Sequence, residues 1–294
     1  MKKRLITLVL VGMTLLGLGL SLYPLLADWW NSVHQSRAVT DYARAAEVLA
    51  RPEQEALLTQ AEAYNARLAE TGVQWTLDDA QQAEYNAQLD ITGTGIMGYL
   101  NIPRIGVTLP IYHGTSEEVL QVAVGHLAGT SLPVGGKGTH CSVSGHRGLP
   151  GARLFTDLEE LAQGDTFTVT VLGRTLTYEV DQIRIVLPSE LEELAIDPEQ
   201  DYFTLITCTP YAVNTHRLLV RGRRTENAPG AVTVLAEAVL VDPRLAALVM
   251  AVPMLAVLFV GMMISTGRRI RAKETLARRK ETGPDNDLGE GGDP

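Results

Sequence analysis

The sequence predicts a mainly β protein: a small closed or nearly closed β-barrel with short helices, a helical segment in front of it, and a membrane-spanning helix on either side. Three observations carry this. Two uncharged apolar runs, Leu5–Ala27 and Leu245–Thr266, flank the middle of the 294-residue chain. From Gly95 onward, about 130 residues read as short β-branched stretches cut by Gly, Pro or Asp, enough to close one core. Between the first run and Gly95, apolar residues recur at a helical period.

The first run follows Lys2, Lys3 and Arg4 and precedes Asp28, Trp29 and Trp30. Twenty-odd apolar residues at about 1.5 Å each cross a hydrocarbon core of roughly 30 Å. A cleaved signal peptide also has a basic head and an apolar core. A retained anchor is favoured, because the run is long, lacks a clear small-x-small cleavage site and ends in a Trp pair suited to the interface. The second run is followed by Arg268, Arg269, Arg271 and Lys273. A buried core helix is the alternative, and the basic flank disfavours it. Basic residues stay on the cytoplasmic side, so both termini are expected inside and residues 28–244 outside. That outer portion holds 15 basic and 28 acidic residues, a net of −13. Such a surface attracts basic partner segments, an effect that salt screens.

Residues 33–71 read as helix, with Val39, Tyr42, Ala46 and Leu49, then Leu57, Ala61, Tyr64 and Leu68, near a helical period. Pro52 breaks this helix or starts its second half. Gly72 ends it, and Trp75–Asp90 reads as a turn and a short helix over Ala80–Leu89. Strands follow in MGYLNIP, GVTLPIY, GTHCSVSGH, DTFTVTVL, RTLTYEVDQIRIVLP, DYFTLITC and RLLVRGRR. Gly173–Arg174 predicts a tight hairpin. Ser116–Val124, Ala152–Gln163 and Ser189–Ala195 are expected as short helices between strands.

Composition narrows the function. A hydrophobic content of 46% is too high for a disordered chain. With 5% aromatics and a net charge of −9, no nucleic-acid partner is expected. Two cysteines exclude a disulfide scaffold and a four-cysteine metal site. No HExxH, EF-hand loop or CxxC is present, so no metal or cofactor is expected.

Cys208 ends an apolar strand, where a lone cysteine is by default a core residue. Nine residues on, Arg217 opens the next strand. If the two strands pair, the guanidinium returns to the thiol's end of the sheet, where a cation stabilises a thiolate or an oxyanion. A cysteine nucleophile also needs an acid for the leaving amine. His34 lies beside the membrane and outside the barrel, and His113 and His126 border loops, where they cap turns. His146 ends GTHCSVSGH at a strand mouth like that of Cys208. His216 adjoins Arg217, so its side chain points to the opposite face. His146 is the better acid and His216 the runner-up. Cys141, five residues before His146, is expected to be a buried apolar residue; a disulfide with Cys208 is the alternative.

The segments SGHRGLPGARLFTDLEEL and LITCTPYAVNTHRLLVRG resemble the class C sortases, membrane cysteine transpeptidases that polymerise pilins. The resemblance runs from about Trp75 to Arg224. Thr204-Leu205-Ile206-Thr207-Cys208 matches the TLxTC-type strand, and the two flanking spans match the group's layout. It implies an eight-stranded sortase barrel in which His146, Cys208 and Arg217 match the catalytic trio. It also implies pilin subunits with LPxTG-like tails as partners, with membrane lipid around the spans. The layout is then a head (1–4), a span (5–27), an outer helical segment with a lid (28–94), the barrel (95–225), a linker (226–244), a span (245–266) and a tail (267–294).

In this group a loop after the N-terminal helices covers the site, pinned by an Asp-Pro-aromatic motif. Gly72–Asp79 has no such triplet. Trp75 is expected to take the aromatic position and Asp78 or Asp79 to reach Arg217, giving a loosely held lid. Trp75 anchoring the chain on the barrel wall is the alternative. Tyr211 and Asn214, inside the TPYAVNTH turn, complete the expected substrate or lid residues.

Overall fold

A computed structural model describes residues 2–227 and, beyond them, Gly267. The expected second span lies outside the described residues, as do the linker past Asn227 and the tail apart from Gly267.

The first helix, α1 (Lys2–Val48), is longer than expected. It continues from the apolar run into the outer segment, so span and outer helix are one element. It is long and apolar enough to cross a membrane, and its apolar window is not buried inside the protein. Further along, Val39, Tyr42 and Ala46 turn a buried stripe to the barrel. Tyr42 donates to the Met97 carbonyl at 2.8 Å and accepts from the Leu172 amide at 3.2 Å. Pro52 sits in the first turn of α2 (Arg51–Thr71), where its missing N–H costs nothing. Asn65 on α2 exchanges two hydrogen bonds with the backbone of Leu132, at 2.7 and 3.0 Å. The third helix, α3 (Asp79–Asn86), opens with a capping box between Asp78 and Gln81.

Eight strands close the barrel: β1 (Ile96–Ile102), β2 (Val107–His113), β3 (Val124–His126), β4 (Thr139–Ser144), β5 (Thr166–Val171), β6 (Arg174–Val186), β7 (Asp201–Thr209) and β8 (His216–Thr225). Their order is β1-β2-β3-β4-β7-β8-β6-β5, and β1 pairs with β5 to complete the ring. Most neighbours are antiparallel; β2–β3 and β4–β7 run parallel.

The short helices are weaker than expected. Ser116–Val124 yields one turn, α4 (Glu117–Leu120), and Val124 already begins β3. Ala152–Gln163 holds only a 3-10 turn at Leu158–Glu160, and Ser189–Ala195 one at Glu192–Leu194. Segments this short cannot repay helix nucleation and keep only what packing imposes.

Candidate active site

Three strands set the geometry. On β7, Phe203 and Leu205 face the core, while Ile206 packs in a separate outer cluster with Leu194 and Leu219. Alternation therefore puts Thr207 and Thr209 on the inner face and Cys208 on the outer one. On β8, Leu218 and Val220 face inward and Leu219 outward, so Arg217 is also outward. Cys208 and Arg217 are direct cross-strand partners in the antiparallel register. Their side chains thus stand on one face as neighbours.

The parallel strand β4 approaches β7 from its other side. Its register ends with Ser144 opposite Ile206, and Gly145 extends the pairing by donating to the Ile206 carbonyl at 3.0 Å. Thr207 Oγ1 donates back to the Gly145 carbonyl at 2.8 Å. Two residues further on each strand lie His146 and Cys208. Cys141 and Val143 face the core, so alternation places His146 outward, with Cys208. The residues that the sequence singled out for chemistry therefore share one face and one end of three adjacent strands.

The other histidines are occupied. His126 is fully buried; its Nε2–H donates to the Ser131 carbonyl at 2.8 Å and Nδ1 accepts from Tyr85 at 3.0 Å. His140 is buried too, with Nδ1 donating to the Ala195 carbonyl and Nε2 accepting from Thr204. Burial pulls each imidazole down to about 4, so both are neutral at physiological pH. His113 Nδ1 bonds the Gly95 carbonyl. His216 lies opposite Thr209 on the inner-facing register. His146 is partly exposed, and its Nε2 stands 3.7 Å from Glu117 Oε2 at the start of α4. Cys141 is a free, buried thiol of the core cluster, and burial pushes it well up. Paired with Phe203, it lies five rungs down the ladder from Cys208, roughly 16 Å away and too far for a disulfide.

The lid residues are placed differently from expectation. Asp78 accepts from the Gln81 amide at 2.8 Å, so its carboxylate is used in capping α3, and Asp79 is the first residue of that helix. Arg217 Nη1 instead donates to the carbonyls of Asn214 (3.3 Å) and His216 (3.1 Å), and no carboxylate pairs with it among the described residues. Trp75 is 44% exposed and lines an open groove of about 370 Å³ with Val73, Leu191 and Ile196. None of Cys208, His146 and Arg217 lines that groove. Gln74 next to it donates to the Gly129 carbonyl at 3.0 Å. That bond holds the segment against the loop after β3. Asn214 takes a left-handed conformation (φ 60°) that aims its carbonyl at Arg217.

Arg147, directly after His146, had no role assigned from the sequence. Its side chain is only 6% exposed and pairs with Glu159 at 2.6 Å. Nη1 also donates to Thr209 Oγ1 at 3.5 Å, and the guanidinium carbon lies 5.7 Å from the centre of the Tyr211 ring. Tyr211 covers Gly148, where an added Cβ would come within 2.6 Å of the ring. The signal was the alternation itself: with His146 outward, the next residue must turn inward.

The sequence profile of the Sortase domain matches residues 100–225. The structure is similar to the crystal structure of sortase C1 from Streptococcus agalactiae, at 50% identity and a TM-score of 0.64, covering 65% of this chain and 100% of that one. It is also similar to sortase C of Streptococcus pneumoniae, at 41% identity and a TM-score of 0.60, covering 66% and 99%. Sortase D of Bacillus subtilis strain 168 is 27% identical over 152 residues, 51% of this chain and 74% of that protein.

Proposed function

The chain belongs to the sortase family of cysteine transpeptidases, and from that premise we propose that it polymerises pilins from the outer face of a membrane. The observation that carries the reading is the juxtaposition of Cys208, Arg217 and His146 on one face of β7, β8 and the end of β4. Further support comes from the similarity to class C sortases, among them sortase C of Streptococcus pneumoniae with its pilin substrate specificity.

In the proposed reaction the Cys208 thiolate attacks the Thr carbonyl carbon of an LPxTG-like signal. Arg217, with only Nη1 held by backbone carbonyls, directs its remaining N–H groups at the oxyanion or the substrate backbone. The C–N bond to Gly breaks, and the departing amine takes a proton from the His146 imidazolium. A lysine amine of a second pilin then attacks the thioester, loses its proton to His146 and releases the thiolate, leaving an isopeptide bond. The acidic outer portion draws in the lysine-bearing partner. The chain is held by α1 and, in this proposal, by the second apolar run at 245–266, with both termini inside.

The test is a reconstitution of the full chain with a pilin carrying an LPxTG-like tail, offering the pilin lysine and a wall-peptide amine in competition. Expected are a thioester on Cys208, trapped by hydroxylamine, and pilin–pilin products. Products on the wall-peptide amine alone would replace polymerisation with cell-wall anchoring. Transfer persisting in Cys208→Ala would remove the proposal entirely.

A further inference from the structure

Cys208 and His146 must keep their separation while standing on different strands, and among the described residues no hydrogen bond or ion pair on the outer face ties one to the other. The inner face carries such a tie. Thr209 follows Cys208 and Arg147 follows His146, so the side chains of this second pair project from the opposite side of the same backbone. Arg147 reaches Thr209 Oγ1, lies under the Tyr211 ring of the β7–β8 turn and is anchored by Glu159 from the 3-10 turn at 158–160. One guanidinium thus joins the His146 loop, the end of β7, the turn leading to Arg217 and the segment behind them. We infer that Arg147 is a positioning residue: an inner staple that holds His146 opposite Cys208 on the outer face.

The energetics separate this role from a purely structural one. Arg147 Nε is buried with no partner among the described residues, and the Glu159 that neutralises the guanidinium is 58% exposed. A desolvated cation with an orphaned N–H is a poor stabiliser, and an apolar side chain of similar length commonly serves a fold as well. Its contribution lies instead in geometry, because a planar fork engages a carboxylate, a hydroxyl and a ring at once. An ångström lost between nucleophile and acid costs about a hundredfold in turnover.

The inference rests on reading Cys208 and His146 as nucleophile and acid, and the experiment keeps the two apart. Full-length wild type, Arg147→Met, Arg147→Lys, Cys208→Ala and His146→Ala are compared for kcat and KM on an LPxTG-like peptide and for thermal unfolding. Expected for Arg147→Met is a tenfold to hundredfold lower kcat, KM within about twofold and an unchanged or higher Tm, with Arg147→Lys recovering part of kcat. Folded Arg147→Met with wild-type kcat, or with a loss confined to KM, overturns the staple. If Arg147→Met does not fold, Glu159→Gln and Thr209→Val decide by the same kcat criterion, and wild-type turnover in both overturns it. Activity in Cys208→Ala or His146→Ala would instead defeat the underlying reading.

Discussion

Cys208 and Arg217 owe their proximity to a nine-residue spacing that returns the chain through one turn and makes them partners across β7 and β8. Sulfur contributes little to packing at this half-exposed position. Cys208→Ala is therefore expected to abolish thioester formation while leaving Tm within a few degrees of wild type. Intact-mass analysis after acid quenching reads the first part, and scanning calorimetry the second. Arg217→Lys is expected to lower kcat by about a hundredfold, since an ammonium cannot donate to the Asn214 and His216 carbonyls and still present a planar fork of N–H groups to an oxyanion. Near-wild-type turnover would make Arg217 structural. At this scale the shared face of Cys208, Arg217 and His146 was legible from residue type and spacing. Alternation could turn Arg147 inward but not name its partners, which follow from a parallel register between strands some 60 residues apart, and the sequence was silent on Glu117, which reaches His146 from a single helical turn.

Among the elements, α1 gains most from the structure. The sequence separated a span from a helix beginning at 33, because Asp28 and the Trp pair broke the apolar run, yet the backbone continues without a break. Its first turns past the span grip the loop after His146. Asn31 Nδ2 donates to the Gly151 carbonyl at 2.5 Å, and Asp28 Oδ1 accepts from the Arg153 amide at 2.9 Å. Gly151 allows this approach: an added Cβ would stand 3.0 Å from Ala27 Cβ. The loop that carries the proposed acid is thereby fixed within a turn or two of the expected bilayer edge. Two hydrogen bonds at about 1 kcal/mol each limit its opening. Asp28→Ala combined with Asn31→Ala is expected to raise amide exchange across residues 148–153 by about tenfold or more, measured on the full chain in detergent. Unchanged exchange would mean that the loop holds itself. Seven of the eight strands were legible because alternation and β-branching do not depend on partners; β3, three residues long, was missed at the end of a stretch read as helix, and the three short helices depend on packing and shrank to single turns. Asp78 caps α3 and does not pair with Arg217 for a related reason: a free-looking aspartate before a helix is first of all an N-cap.

Over the whole molecule, the barrel's dependence on two neutral buried imidazoles sets a pH limit. His126 joins Tyr85 of α3 to the loop after β3, while His140 joins β4 to β7 through Thr204 and to the β6–β7 connection through the Ala195 carbonyl. Both sit at about 4 in the folded state, chiefly through burial, against an unfolded value near 6.5. Folded values below the unfolded ones mean that the unfolded chain binds more protons between these limits. Stability from this source is complete above about pH 6.5 and is lost as the pH falls toward 4. At pH 5 the loss is about 2 kcal/mol per histidine, and together the two lower Tm by roughly ten degrees. Asp201 works the other way. Burial raises its carboxyl despite hydrogen bonds from Gly136, Tyr178 and Thr139, so the folded state takes up its proton first and recovers some stability as the pH falls. That recovery begins nearer the carboxylate range, so the histidine loss dominates just below pH 6.5. Thermal unfolding of the full chain between pH 7.5 and 5 tests the balance, with His140→Gln as the second arm. Glutamine keeps a donor for the Ala195 carbonyl and carries no proton in this range, so the variant should lose about half of the pH dependence. A Tm that stays level from pH 7.5 to 5 in the wild type would show that the buried imidazoles do not control acid stability, and an undiminished slope in His140→Gln would take His140 out of that control.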